Sequence, residues 1–131
     1  MRRILTGVFV LTATLAQAQT PAVPTDRLVW SQVAANLAEA QSYTYTLILD
    51  SVRQATPLAS VTCTGVASPF TCEVPFPAMT PGQHSVQLVA SLTVPSTPPV
   101  QLDSEASVPF SVRLYVAPLS PAGLTIRRSG S

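Results

Sequence analysis

There is no lysine in this sequence, and charged side chains of every kind make up only 10% of its 131 residues. An ordinary globular protein carries about a quarter. The formal net charge is +1. Nucleic-acid binding draws chiefly on neutralising phosphates with a basic field, and adsorption to anionic lipid on a polybasic cluster. Neither is provided for, since Arg127 and Arg128 are a lone basic pair in the tail. Histidine occurs once, as His84, and cysteine twice, as Cys63 and Cys72. A structural zinc site takes four ligands and a catalytic one three, so this inventory leaves no margin. The sequence holds no C-x-x-C redox pair and no G-x-S-x-G nucleophile elbow. Asp103 and Glu105 stand two residues apart, yet no Asx-rich loop surrounds them to supply the many oxygens that calcium needs. The expectation is therefore no catalytic, cofactor or metal residue, and no nucleic-acid partner.

What is present begins with a leader. Met1-Arg2-Arg3 is a positive stretch, residues 4–15 are an apolar run broken only by threonine and glycine, and Ala16-Gln17-Ala18 is a small-x-small cleavage site. That pattern is a secretory signal peptide over residues 1–18, too short in its apolar part to span a bilayer. Residue 19 is glutamine, so a bacterial lipid anchor on a new N-terminal cysteine is not available. The chain is expected to be exported, to the periplasm, the cell surface or the medium. Once the leader is removed, five arginines face six acids, and serine and threonine carry the surface.

Residues 19–26 hold Pro21 and Pro24 and are expected to be a flexible lead-in. Period-2 alternation then marks six strands. The first is 27–31, with Leu28 and Trp30 on one face. An alanine-rich stretch, 33–40, is too short for a stable helix of its own and is expected to be a connection. Strand 42–50 sets Tyr43, Tyr45, Leu47 and Leu49 on one face; 58–64 follows; 70–76 alternates Phe70, Cys72, Val74 and Phe76. The longest clean run starts at the Pro81-Gly82 turn and covers 83–93, with Val86, Leu88, Ala90 and Leu92 together. In the last, 106–116, Val108, Phe110, Val112 and Leu114 are expected to face in, and Pro109 argues for an edge or a bulge. Residues 118–131 form a tail. Short strands at this spacing, with turn residues between them, predict an all-β antiparallel sandwich over 27–117.

At this point the residues carry a resemblance. Trp30 in an early strand, the Tyr43-x-Tyr45-x-Leu47 strand and Thr80-Pro81-Gly82-Gln83-His84-x-Val86-x-Leu88-x-Ala90 together resemble a fibronectin type III or immunoglobulin-like domain. They are also similar to a group of small secreted bacterial sandwiches with the same tryptophan, cysteine pair and TPG-x-H run. The resemblance implies seven strands; only six are counted, because too little chain precedes Trp30 to supply a first one. It also implies a tyrosine where His84 stands, so His84 is expected to hold a structural corner. The family hosts adhesion modules, spacers and accessory domains alike.

In an exported chain, two cysteines on consecutive strands across a short loop imply a Cys63–Cys72 disulfide. Trp30, Tyr43 and Tyr45 could form a sugar-stacking platform, but they share phase with leucines and are expected in the core with Leu47, Val86, Leu88, Phe110 and Val112. Tyr115 is the better exposed aromatic. Because each strand reverses the chain, the connections 33–41, 65–69 and 95–102 should lie at one end, with Asn36, Ser68 and Thr97 clustered there, and Pro77 at the other. Pro95, Pro98 and Pro99 stiffen the last of these loops, which makes that end the expected binding tip, with Asn36, Ser68, Ser96, Thr97, Pro98 and Pro99 as its candidate partner-binding residues. Three functions fit: a non-catalytic binding or adhesion module for a protein or glycan, a passive spacer or assembly subunit, and a hydrolase with a grafted site. The last lacks a nucleophile–base pair.

Overall fold

The computed structural model describes residues 19–130, so the leader expected over 1–18 lies outside the described residues. In chain order the elements are β1 (Thr20–Ala22), β2 (Arg27–Gln32), α1 (Leu37–Ser42), β3 (Thr44–Leu49), β4 (Val52–Arg53), β5 (Thr62–Thr64), β6 (Phe70–Pro75), β7 (Gly82–Val94), β8 (Val100–Asp103) and β9 (Phe110–Leu114). One sheet runs β1-β9-β7-β3-β4, with β8 also on β7; the other runs β2-β6-β5. The architecture is a mostly β, sandwich-like pair of sheets.

Three expectations are corrected. The lead-in is not free chain: Thr20, Pro21 and Ala22 pair in parallel with Val112, Arg113 and Leu114, and Ala22 is buried. Three residues are too few to show alternation, and Pro21 looked like a breaker. At a sheet edge, however, its missing N–H costs no ladder bond. This strand makes the larger sheet mixed rather than antiparallel. Among the described residues there are nine strands rather than six, because the lead-in and two connections contain strands. At 50–51 both residues have positive φ, Asp50 at 50° and Ser51 at 71°, which is the type I′ geometry that closes a two-residue hairpin and brings Val52 back opposite Leu49. Beyond 95–99, Val100 returns opposite Val94. The alanine-rich connection, thirdly, contains α1. Asn36 Oδ1 accepts the Glu39 N–H at 2.9 Å while Glu39 Oε1 accepts the Ala35 N–H. This near-reciprocal cap supplies the help a six-residue helix needs.

β7 is the spine. It pairs with β3 along one side, from Thr44↔Ser91 to Leu49↔Val86, and with β9 and then β8 along the other. Between Ser91↔Asp103 and Val86↔Phe110 the partner strand carries two more residues than β7, so 104–109 bulges outward. Two serines repair the ladder there. Ser107 Oγ accepts the Leu88 N–H at 2.9 Å and Ser104 Oγ accepts the Ala90 N–H at 3.0 Å. The bulge also breaks the inward phase expected of the last strand: Val108 is exposed and Phe110 is 44% exposed, not core, while Val112 and Leu114 below it are buried.

The core has two lobes. Tyr45, Phe70, Cys72, Cys63, Ala34 and Ala40 form one, with Trp30 and Tyr43 packed partly buried against it. Leu47, Val86, Val112, Leu114 and Ala22 form the other, flanked by Leu28 and Leu88. On the outer face of the larger sheet, Arg53 on β4 and Asp103 on β8 stand with β3 and β7 between them and form an ion pair at 3.1 Å. The arginine stem thereby spans the face that holds Thr46 and Val89, both buried.

Candidate binding surface

The ladders determine which loops share an end. β2 climbs to Gln32 opposite Phe70, α1 carries the chain across, and β3 starts at Thr44 opposite Ser91. The connections at 33–43, 65–69 and 95–99 therefore leave from one end, and Pro77, following β6, lies at the other. Asn36 and Ser68 belong to one cluster there. Ser68 Oγ accepts the Ala34 N–H at 3.3 Å, two residues before the helix cap. Gln41 of α1 reaches the disulfide hairpin, donating to Val61 O at 2.7 Å and accepting the Cys63 N–H at 2.8 Å. The disulfide joins Cys63 and Cys72 directly across β5 and β6, with Cα atoms 3.9 Å apart. Ser96, Thr97, Pro98 and Pro99 are exposed at the same end but on a separate projection, held by their own bond from Ser96 Oγ to Pro98 O at 2.8 Å.

The loop expected over 95–102 is in part a strand, β8. β7 and β8 overshoot β3, which stops opposite Ser91, so Leu92 to Val94 and Val100 to Leu102 form a two-stranded ribbon beyond the sandwich. Leu92 faces Leu102 and Val94 faces Val100, which gives one side of the ribbon an aliphatic row. Leu92 is 39%, Val100 47% and Leu102 53% exposed. Leu92, expected on one face with Val86, Leu88 and Ala90, is thus a surface residue while Val86 is buried. The signal was available: Leu92-x-Val94 and Val100-x-Leu102 alternate on either side of a five-residue proline loop, a hairpin signature. At the ribbon's root a shallow pocket lies between Tyr43, Gln32, Leu102 and Ser104. Asp103 there accepts from Ser91, Gln101 and Arg53, which hold its carboxyl down at about 2. It is a structural acid, and Glu105 lies apart from it in the bulge.

The aromatic residues are inward. Tyr45 is fully buried, its ring edge-on to Trp30 at 5.0 Å and to Tyr43 at 6.3 Å. Its hydroxyl donates to Ala40 O at 2.7 Å, and burial pushes its pKa up to about 12. Tyr115 is 52% exposed near the opposite end.

His84 holds that opposite corner. Its Nδ1 lies 2.7 Å from Asp50 Oδ2 and its Nε2 2.6 Å from Thr80 O. A carbonyl only accepts, so Nε2 carries a proton; an ionised carboxylate also accepts, so the ring is best satisfied as imidazolium. The Asp50 carboxylate and then the Thr80 carbonyl raise the His84 pKa above its ordinary value, against the burial of the ring. Asp50 is lowered by the same bond and by the Ser85 N–H that its other oxygen accepts. Two residues in positive-φ conformation thus bring a turn carboxylate against β7. Among the described residues no group of three metal-ligating side chains occurs, and no helix is long and apolar enough to cross a membrane. Compared with known proteins, the chain matches no family model, no curated protein and no solved structure.

Proposed function

We propose that this chain is an exported, non-catalytic binding module of immunoglobulin or fibronectin type III kind, recognising a protein partner through the β7–β8 ribbon and the loops beside it. Strand order supports the family reading. β2-β6-β5 corresponds to the family's B-E-D sheet, and β9-β7-β3-β4 to its G-F-C-C′ sheet, with β1 running beside the last strand. Export is supported by the leader and by the Cys63–Cys72 bridge.

The observation that carries the binding role is the aliphatic row of Leu92, Val100 and Leu102, half exposed on a projecting ribbon whose tip is stiffened by Pro95, Pro98 and Pro99. Protein interfaces have apolar centres of this kind, and a stiff loop loses less entropy on binding. Sugars stack on aromatic faces, and here Trp30 and Tyr45 are turned into the core, so a protein partner is favoured over a glycan. The test is an array of cell-envelope and secreted proteins beside a glycan array, probed with the exported chain. Protein capture is expected, lost on Leu102→Ser and on replacing 96–99 by a Gly/Ser linker. Capture by glycans alone, or capture unchanged in both variants, would overturn the reading.

A further inference from the structure

The smaller sheet has one covered edge and one open edge. β5 is covered by α1, whose Gln41 side chain takes the outward N–H of Cys63. β4 is two residues long and β1 three. The upper edge of β9 is spoiled by Pro109 and the bulge at 104–109. These are the ordinary ways in which proteins close strand edges to other chains. β2 has none of them. It is six residues long, holds no proline, and pairs only with β6 among the described residues.

Its free groups can be assigned. Phe76 N–H bonds to Asp26 O, and hydrogen-bonded pairs alternate along an antiparallel ladder. The bonded pairs are then Leu28/Val74, Trp30/Cys72 and Gln32/Phe70. The N–H and C=O groups of Arg27, Val29 and Ser31 point to the unpaired edge. Along that edge a groove separates β2 from the bulged strand, lined by Leu28, Trp30, Leu88, Ser107 and Phe110. Trp30 has an indole N–H that is buried without an acceptor, which is rare in a folded protein.

The chain also carries a segment suited to this edge. Beyond β9 the tail leaves its apolar side chains in water: Leu119 is 92%, Leu124 95% and Ile126 95% exposed. Leu124-Thr125-Ile126 has strand alternation, and Arg127-Arg128 follows. The groove has an acid at each mouth, Asp26 and Glu105, and neither makes an ion pair among the described residues. The tail leaves the body at Tyr115, whose N–H continues the β1 ladder to Ala22 O. The turn from β1 to β2 therefore stands between the tail and its own β2.

We propose that a second copy of this chain adds residues 124–128 as a strand on the free edge of β2, with Leu124 and Ile126 covering the groove and the arginines meeting its acids. Strand addition of this kind draws affinity from main-chain hydrogen bonds and register from alternate side chains. Donor and acceptor surfaces differ, so the contact is head-to-tail and propagates into chains or closes into a ring. The proposal rests on the β2 edge and the tail, and is independent of what the ribbon recognises.

The test uses the exported chain and three variants in light scattering and sedimentation from micromolar to millimolar concentration. The unaltered chain should show a mass rising with concentration to at least twice the monomer. Leu124→Asp/Ile126→Asp, which alters only exposed tail residues, should stay monomeric. Val29→Pro removes a donor from the free edge without touching the β6 ladder, so it should keep its melting temperature and lose self-association. Mixing Val29→Pro, which retains a tail, with a chain ending at Val116, which retains an edge, should restore a one-to-one dimer that grows no further. A monomer at every concentration, or undiminished association of the tail variant, would overturn the proposal. A monomer with Val29 and Ser31 amides protected from exchange would put the tail on its own β2 and overturn it equally.

Discussion

The corner made by Asp50, Thr80 and His84 should give this protein a stability that falls as pH rises through neutrality. The perturbation is deprotonation of the one histidine, or its replacement by glutamine. His84 donates to two acceptors, and its side chain is only 9% exposed while that of Asp50 is 48% exposed. When the ring loses a proton, Nε2–H stays on the Thr80 carbonyl, which has no alternative donor in the ring. Nδ1 then turns a lone pair towards the Asp50 carboxylate, and that bond is lost. A hydrogen bond to a charged group contributes about 1.5–3 kcal/mol, but half-exposed carboxylates are screened towards the value of a surface pair. The pH-dependent share is therefore about 1–2 kcal/mol, or roughly 5–10 °C in Tm for a domain of this size. The sign follows from the raised folded-state pKa of His84. The contribution is complete below the unfolded value of about 6.5 and is lost as pH rises through the folded value. Asp50, with a lowered folded pKa, adds stability above its unfolded value that is lost as pH falls through the folded one. The assay is thermal melting between pH 5 and about 9, beside NMR titration of the ring, which is unambiguous because the chain has a single histidine. His84→Gln should lower Tm at acidic pH and abolish the slope above neutrality. Asp50→Asn should abolish the slope too, while keeping the turn, since asparagine accepts positive φ. A flat Tm across neutrality, an NMR midpoint below the ordinary histidine value, or a slope retained in both variants would refute the reasoning.

The remaining expectations are simpler. Replacing Cys63 and Cys72 together by alanine should cost about 2.5–3 kcal/mol by chain entropy for so short a loop, checked by urea denaturation of oxidised protein and variant; the oxidised protein should show no free thiol. Tyr45→Phe should cost about 1–2 kcal/mol, because the buried Ala40 carbonyl, at the C-terminal turn of α1, loses its donor. In the unaltered chain Tyr45 should ionise only near pH 12 in an absorbance titration. The exported protein should begin at Gln19, and an intact mass that still includes Met1 to Ala18 would remove the signal-peptide reading.

Alternation was legible wherever a strand is long and one of its faces is buried. Tyr45 and Leu47 on β3, Val86 on β7 and Val112 on β9 could be assigned inward from their two-residue spacing alone, since one face of a pleat has one fate. Cys63 and Cys72 could be paired from export context and their places on neighbouring strands. Composition by itself showed a chain without lysine and with few charges of either sign. The aliphatic residues that flank the proline loop of the ribbon, Leu92, Val94, Val100 and Leu102, are likewise a local hairpin signal.

Tertiary structure decided whatever depends on neighbours distant in the chain. Thr20 to Ala22 is a strand only because β9 offers it a free ladder, and no local pattern of three residues, one of them proline, contains that partner. Phe110 is exposed despite strand phase because two extra residues opposite β7 displace it, with Ser104 and Ser107 hydroxyls standing in for the ladder. Asp50 meets His84 only because its turn folds back beside β7, 34 residues along the chain. The open edge of β2 likewise exists only because β1 joined the other sheet. Hydrophobic period is a local property of a chain, whereas pairing partner, bulge and free edge are settled by which strands meet, and that choice is made by the packed whole.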